Sequence, residues 1–448
     1  MDQHIEDIKN VYFVGIGGIG MSALARYFNF SGKNVAGYDK TPSQITEDLK
    51  ALGIEIHFDD DVAHIAEGFL DKEETLVVYT PAIPSDHSEL TYFESQGFLI
   101  KKRAEVLGII TKGKYTLAVA GTHGKTTTTA ILGHLLKESG AKVTAFLGGI
   151  SENYNSNLIL EGDEVVVVEA DEFDRSFLQL YPDIAAVTSM DADHLDIYGQ
   201  SDALDASFVE FSSRAKDHLL VKNGLVLGGM TLGIEDDADY CIKNIKIENG
   251  SYVFDLKTPE EIIADLRFDL PGEHNLLNAI TAFAMAMLYG SPTKLLAKAL
   301  SSFKGVKRRF SYQVKTKEKI YIDDYAHHPT EITALHQAVR QMHPDKKVLV
   351  VFQPHLFSRT QDFGVEFAAS LSKFDTVFML DIYPARELPI AGITSQWLLE
   401  MIDMEDKKMV VKENLVADIL SSDAEVILTV GAGDIGEEVV KIREALLA

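Results

Sequence analysis

The chain has 448 residues, 46% of them hydrophobic, enough for about three domains that each bury a core. Forty-two basic against sixty-eight acidic residues give a formal charge of −26, which repels nucleic acid, and the densest basic run, KGVKRR at 304–309, is too short to track a polyanion. One cysteine, Cys241, excludes an intramolecular disulfide framework; no stretch is long and apolar enough to span a bilayer, and the acidic start lacks a secretory pattern, so a cytoplasmic protein is expected. An anionic ligand must then be met by focused groups: loop amides, single cations and divalent metal.

In chain order, VYFVGIGGIGMSALARYFNFSGKNVAGYDK reads as strand, glycine turn, helix and strand, and TLVVYTPAIP (75–84) as a later strand of the same sheet. Gly15, Gly17, Gly18, Ile19 and Gly20 form a G-x-G-x-x-G loop, with Asp39 placed for ribose contact. The loop specifies a diphosphate near a helix N-terminus, not a nicotinamide. GAGDIG (431–436) fits the same pattern and reads as a packing turn.

A second sheet begins at YTLAVAG (115–121) and continues through EVVVVEAD and IAAVTSMDAD, runs apolar on both faces as buried parallel strands are. A third follows KGVKRRF with IYIDDYAHHP, KVLVVFQPH, TVFMLDIYP and VILTVGAGDIG. The alternation predicts an α/β fold of three domains, 1–107, 108–310 and 311–448, the outer two Rossmann-like and the central one a mononucleotide-binding domain.

The strongest signal is AGTHGKTTTT. A strict P-loop fails because Val119 stands where its first glycine belongs, yet the physical parts are present in a shorter loop. Gly121, Thr122, His123 and Gly124 turn amides toward an anion, Lys125 reaches the outer phosphates, and Thr126 and Thr127 open the helix, Thr126 offering a hydroxyl to Mg²⁺. The metal needs a second-strand carboxylate; Glu169 is the first choice over Asp171 and Glu172, because four valines lead into it. Asp191, Asp193, His194 and Asp196 form another cluster at a strand's C-terminal edge. Asn275 and Asn278, three apart at a helix start, read either as a purine contact or as capping. Arg308 and Arg309 read equally as a phosphate contact or a solvated turn. Of His327 and His328, ahead of a proline and a helix, one is structural.

The ordered set GIGGIGMS, AGTHGKTTTT, EADEFDRSFL, DADHLDIYG, HNLLNA, DDYAHHPTE, FQPHLFSRT and GAGDIG resembles the Mur ligases over essentially the whole chain. G-T-x-G-K-T is that family's phosphate loop. The resemblance implies that Gly15–Gly20 hold a UDP-sugar and that ATP sits on 121–127, with Lys125 on the phosphates. Thr126 and Glu169 then hold one Mg²⁺ and His194 a second; His274, Asn275 and Asn278 face the nucleotide and Arg309 the phosphates. Asp323, Tyr325, His327 and Arg359 complete the ATP and amino-acid pockets. The implied reaction joins L-alanine to the lactyl carboxylate of UDP-N-acetylmuramate through an acyl phosphate; the alternative within the family attaches a recycled tripeptide. Two departures are present. ALDASFVEF has no lysine where some members carry a carbamoylated one, and Leu356 stands where arginine often follows FQPH. A nicotinamide oxidoreductase would leave the second loop unemployed, and a nucleotide sensor would bind ATP without amino-acid-dependent turnover. Oligomeric state is not written in the sequence.

Overall fold

The computed structural model describes residues 8–191, 201–248, 251–385 and 387–447. They form an α/β fold with three sheets. The first has five parallel strands in the order 55–57, 34–38, 10–14, 75–79 and 99–102, as expected for a Rossmann-like unit. The second has ten, with Tyr115–Ala120 between Val165–Glu169 and Ile184–Val187, parallel to both. The third has six; the hairpin 311–315/320–324 is antiparallel, and 320–324, 426–430, 348–352, 376–379 and 407–409 follow in parallel.

The chain divides into two compact units, Met1–Ile245 with Phe254–Arg267 and Leu277–Phe303, and Lys246–Val253 with Phe268–Leu276 and Lys304–Ala448. The first sheet and most of the second share the first unit for a visible reason. The edge hairpin Val143–Ser151/Ser156–Leu160 packs on helix Ile19–Phe30, and the wholly buried Asn157 donates to the carbonyl of Ile19 (2.7 Å) and to Ser22 (2.8 Å). Residue 107 lies inside helix Arg103–Thr111, which packs on Phe173–Gln179.

Val165 to Val168 are fully buried, so the strand cannot be entered from either face and only its end, Glu169, reaches solvent. Among the described residues no helix is long and apolar enough to cross a membrane.

Helix Lys125–Glu138 is clamped at its middle by His134, whose Nδ1 meets Tyr154 Oη at 2.6 Å and whose Nε2 lies 3.0 Å from the Ala299 carbonyl. Burial depresses the ring's pKa, more than the Ala299 carbonyl and Glu138 restore it. The unfolded ring takes a proton at about 6.5, so the unfolded state binds more protons below that pH. This part of the stability is complete above pH ~6.5 and declines as the pH falls toward the folded pKa. Thermal denaturation from pH 7 to 5 is expected to show a falling Tm, with a shallower slope in His134→Gln; an unchanged slope would remove His134 as a contributor.

Candidate active site

Three adjacent parallel strands end together: Tyr115–Ala120 in the loop 121–124, Val165–Glu169 in its carboxylate, and Ile184–Val187 in Thr188, Ser189 and Asp191. The C-terminal edge of a parallel sheet is where α/β folds bind ligands. Gly124 is left-handed (φ +86°) and stands at the N-cap of helix Lys125–Glu138 with no side-chain cap. The first-turn amides are therefore available to an anion. A Cβ on Gly124 would lie 2.5 Å from Asn278 Oδ1, which places Asn278 against this loop. The loop is braced from the neighbouring strand. Ser189 Oγ accepts the His123 amide (2.7 Å), Thr122 Oγ1 accepts the Asp191 amide (3.0 Å), and Thr188 Oγ1 donates to the His123 carbonyl (2.5 Å). His123 Nε2 lies 3.3 Å from Asp191 Oδ2.

Lys125 Nζ contacts the Gly121 carbonyl (2.6 Å) and Glu172 Oε1 (2.8 Å). Burial opposes its charge, but Glu172, Asp171 and Glu169 outweigh burial and raise its pKa, keeping it a cation. Thr126 donates to Glu169 Oε1 at 3.1 Å. The three candidate acids thus separate: Glu169 faces the hydroxyl at the helix start, Glu172 the lysine and Asp171 the Arg103 guanidinium, 3.2 Å away. Glu169 has room because Gly148 on the next strand lacks a side chain; a Cβ there would collide with its carboxylate. An oxygen set of threonine hydroxyl and carboxylate suits Mg²⁺. His194, with Asp193 and Asp196, lies outside the described residues.

On the first sheet, the Gly15 and Ile16 amides donate to the Tyr38 carbonyl, tying the glycine loop to the second strand. Asp39 accepts the Gly17 amide at 2.7 Å, so its carboxylate braces the loop besides any ribose contact. A cleft of about 330 Å³ runs from Gly18, Ile19 and Gly20 to Gly148, Glu169 and Asp171.

The second unit gathers most of the remaining expected residues. Arg309 lies over the Tyr325 ring (5.1 Å) and 4.0 Å from Glu331. His327 Nδ1 is 2.9 Å from the Tyr325 carbonyl and 3.4 Å from Glu331, its ring 6.2 Å from that of His355. Arg359 Nη1 is 3.4 Å from His355 Nδ1, and His355 stacks on Tyr383. Burial depresses the His327 pKa against the pull of Glu331, with Arg359 adding to the depression. The His328 ring accepts the Thr330 amide at the N-cap of helix Pro329–Met342. His274 is pushed down to about 4 by burial, with Arg309 adding to and Glu331 opposing the shift. Asn275 donates to the Pro271 carbonyl (2.6 Å), bracing the start of its helix.

Asp323 differs from its neighbours. It is 1% exposed, accepts Thr429 Oγ1 (2.8 Å) and lies 3.3 Å from Arg308 Nε. Asp324, which sequence reasoning passed over, is the acid beside Arg309: it accepts the Phe310 and Ala326 amides, and burial pushes its pKa up to about 6 against Arg309. In GAGDIG, Gln353 Oε1 accepts the Ile435 amide (2.9 Å), so a side chain of the protein occupies that turn.

Residues 10–115 match the Mur ligase family catalytic domain, 119–286 the Mur ligase middle domain and 308–433 the Mur ligase glutamate ligase domain. A UDP-N-acetylmuramate--L-alanine ligase of Flavobacterium johnsoniae is 62% identical over 99% of each chain. The structure of a UDP-N-acetylmuramate-alanine ligase from Thermotoga maritima is similar with a TM-score of 0.85 at 28% identity, covering 98% of this chain and 99% of that one. A murein peptide ligase from Psychrobacter arcticus shares the fold, with a TM-score of 0.69 at 20% identity over 98% of each chain. The chain belongs to the Mur ligase family.

Proposed function

We infer that the protein is a UDP-N-acetylmuramate:L-alanine ligase, forming the amide at the expense of ATP in peptidoglycan precursor synthesis, in the cytoplasm. Full-length identity of 62% to a ligase of that name supports it. The observation that carries the chemistry is the shared cleft: the glycine loop opens at one end, and Glu169, bonded to Thr126 of the phosphate loop, stands at the other. A sugar nucleotide held by its diphosphate can therefore present its carboxylate where a phosphoryl group is delivered.

A carboxylate oxygen attacks the γ-phosphorus of ATP, the bond to ADP breaks, and an acyl phosphate forms. Lys125, kept charged by its three acids, offsets the repulsion between the two anions. Two Mg²⁺ ions, one that Thr126 and Glu169 would hold and a second that His194 would help hold, would supply charge neutralisation at the phosphates and near the acceptor carboxylate. The amine of L-alanine then attacks the acyl carbon, phosphate leaves, and the nitrogen gives up a proton. Arg359, with Tyr325 and His327 nearby, is assigned the amino acid's carboxylate; Arg309, Asn278, His274 and Asn275 the nucleotide. Domains 1–107, 108–310 and 311–448 divide these tasks.

Phosphate release from ATP and UDP-N-acetylmuramate should depend on L-alanine and not on L-alanyl-γ-D-glutamyl-diaminopimelate, and hydroxylamine should trap a muramyl hydroxamate. Release driven by the tripeptide, or none with any amino acid, would overturn the assignment.

A further inference from the structure

In the second unit, strand Val348–Phe352 leads into the segment that carries His355 and Arg359, and the turn between those two residues is held against its own preference. Leu356 has φ +70° and ψ 138°, a backbone region that costs free energy for any residue with a side chain and persists only where its surroundings fix it. Its amide donates to the Tyr383 carbonyl (2.9 Å), and its own carbonyl accepts Thr360 Oγ1 (2.7 Å). The helix it opens, Phe357–Asp362, is capped from outside. Leucine has no side-chain oxygen for the first-turn amides, and Glu387 supplies one. Glu387 Oε2 accepts the Ser358 amide (3.0 Å), and Oε1 accepts the Ser358 hydroxyl (2.5 Å). Arg359 follows Ser358 directly, so the cap sets where its side chain leaves the backbone. Arg359 Nη1 lies 3.4 Å from His355 Nδ1, and His355 stacks on Tyr383. The segment from Tyr383 to Glu387 thus holds this turn at both ends.

We propose that Glu387 is a positioning residue for Arg359, aiming its guanidinium at the carboxylate of the incoming amino acid. This rests on the function inferred above and adds a residue which that function did not name. A planar guanidinium grips a carboxylate well only in register, with two N–H bonds side by side, so a small rotation of the helix that carries it weakens the grip. Leu356 brings no charge to the turn that could make up for the loss. The cap also explains why a carboxylate stands at 387: two donors of one residue meet two acceptor oxygens, whereas an amide would turn its own N–H toward one of them.

The test is steady-state phosphate release by the full chain, with ATP, UDP-N-acetylmuramate and L-alanine varied in turn. Glu387→Ala should raise the KM for L-alanine by about tenfold or more and leave the other two KM values, and kcat at saturating L-alanine, within about twofold. Glu387→Gln keeps the shape and one acceptor and should fall between. Ser358→Ala removes only the hydroxyl bond and should raise the same KM by less. L-Alaninamide, which has the amine and the methyl group but no carboxylate, is the control: its kcat/KM should be the same in wild type and Glu387→Ala. A wild-type KM for L-alanine in Glu387→Ala would overturn the proposal. So would a rise in all three KM values, or an equal loss with L-alanine and L-alaninamide, since either would make Glu387 a support of the whole domain. If the amide turns over too slowly to follow, the split among the three KM values decides. If the wild type releases no phosphate with L-alanine, the inferred function falls; if it turns over and Glu387→Ala keeps its KM for L-alanine, only the role of Glu387 does.

Discussion

Lys125→Ala is expected to abolish phosphate release, by at least about a thousandfold, while UDP-N-acetylmuramate binds within roughly twofold of wild type. Three carboxylates surround the ammonium: Glu172 at 2.8 Å, with Glu169 and Asp171 close enough to raise its pKa. Removing the cation makes the field more negative at the place where the triphosphate of the proposed reaction must bind and transfer its outer group, even with Asp171 still held by Arg103. The loss should therefore appear in ATP affinity and in the chemical step together. Lys125→Arg should restore little, since the wider guanidinium cannot follow the path to the Gly121 carbonyl that the ammonium takes at 2.6 Å. The glycine loop belongs to a different sheet and should be indifferent to the change. Calorimetry with each ligand, beside a phosphate assay, checks both halves; parallel loss of both affinities would count against two separate anion sites.

The strand, loop and helix start assigned here to the phosphates are visible in the sequence because their parts are contiguous: an apolar strand, two glycines, a lysine and a threonine follow one another from 115 to 126. Glu169 was legible for a similar reason, as the polar end of a valine run. What failed to appear was adjacency between strands. Gly148 is one glycine of a GG pair in sequence, and only the pairing of its strand with Val165–Glu169 reveals that its missing side chain makes space for the acid. Arg103 looks like the end of a basic run, KKR, until the first sheet's edge is set beside Asp171. Asp323 and Asp324 show a different limit. Alternation along Ile320–Asp324 puts Tyr321 and Asp323 on the face of Thr429, and Asp324 on the other, beside Phe310 and Arg309. A sequence written D-D does not say which of the two turns inward.

Glu169→Gln should lower turnover by roughly a hundredfold or more and shift the Mg²⁺ requirement upward, because a neutral amide keeps the hydrogen bond from Thr126 but withdraws the charge that a hard cation needs. The same result is expected from a residue with no side chain of its own. Gly148→Ala puts a methyl group into the volume of the Glu169 carboxylate, and neither can stay: the acid must rotate away from Thr126, or the strand Val143–Ser151 must shift. Both variants should keep wild-type affinity for UDP, whose diphosphate is assigned to the glycine loop at the other end of the cleft, and the kcat of Gly148→Ala should fall with Glu169→Gln adding little on top, since the two changes damage one group. Magnesium titrations of kcat for the two single variants and the double variant measure this. Additive losses would place Gly148 and Glu169 on separate tasks, and a fully active Gly148→Ala would mean that the carboxylate does not need the position it occupies beside the helix start.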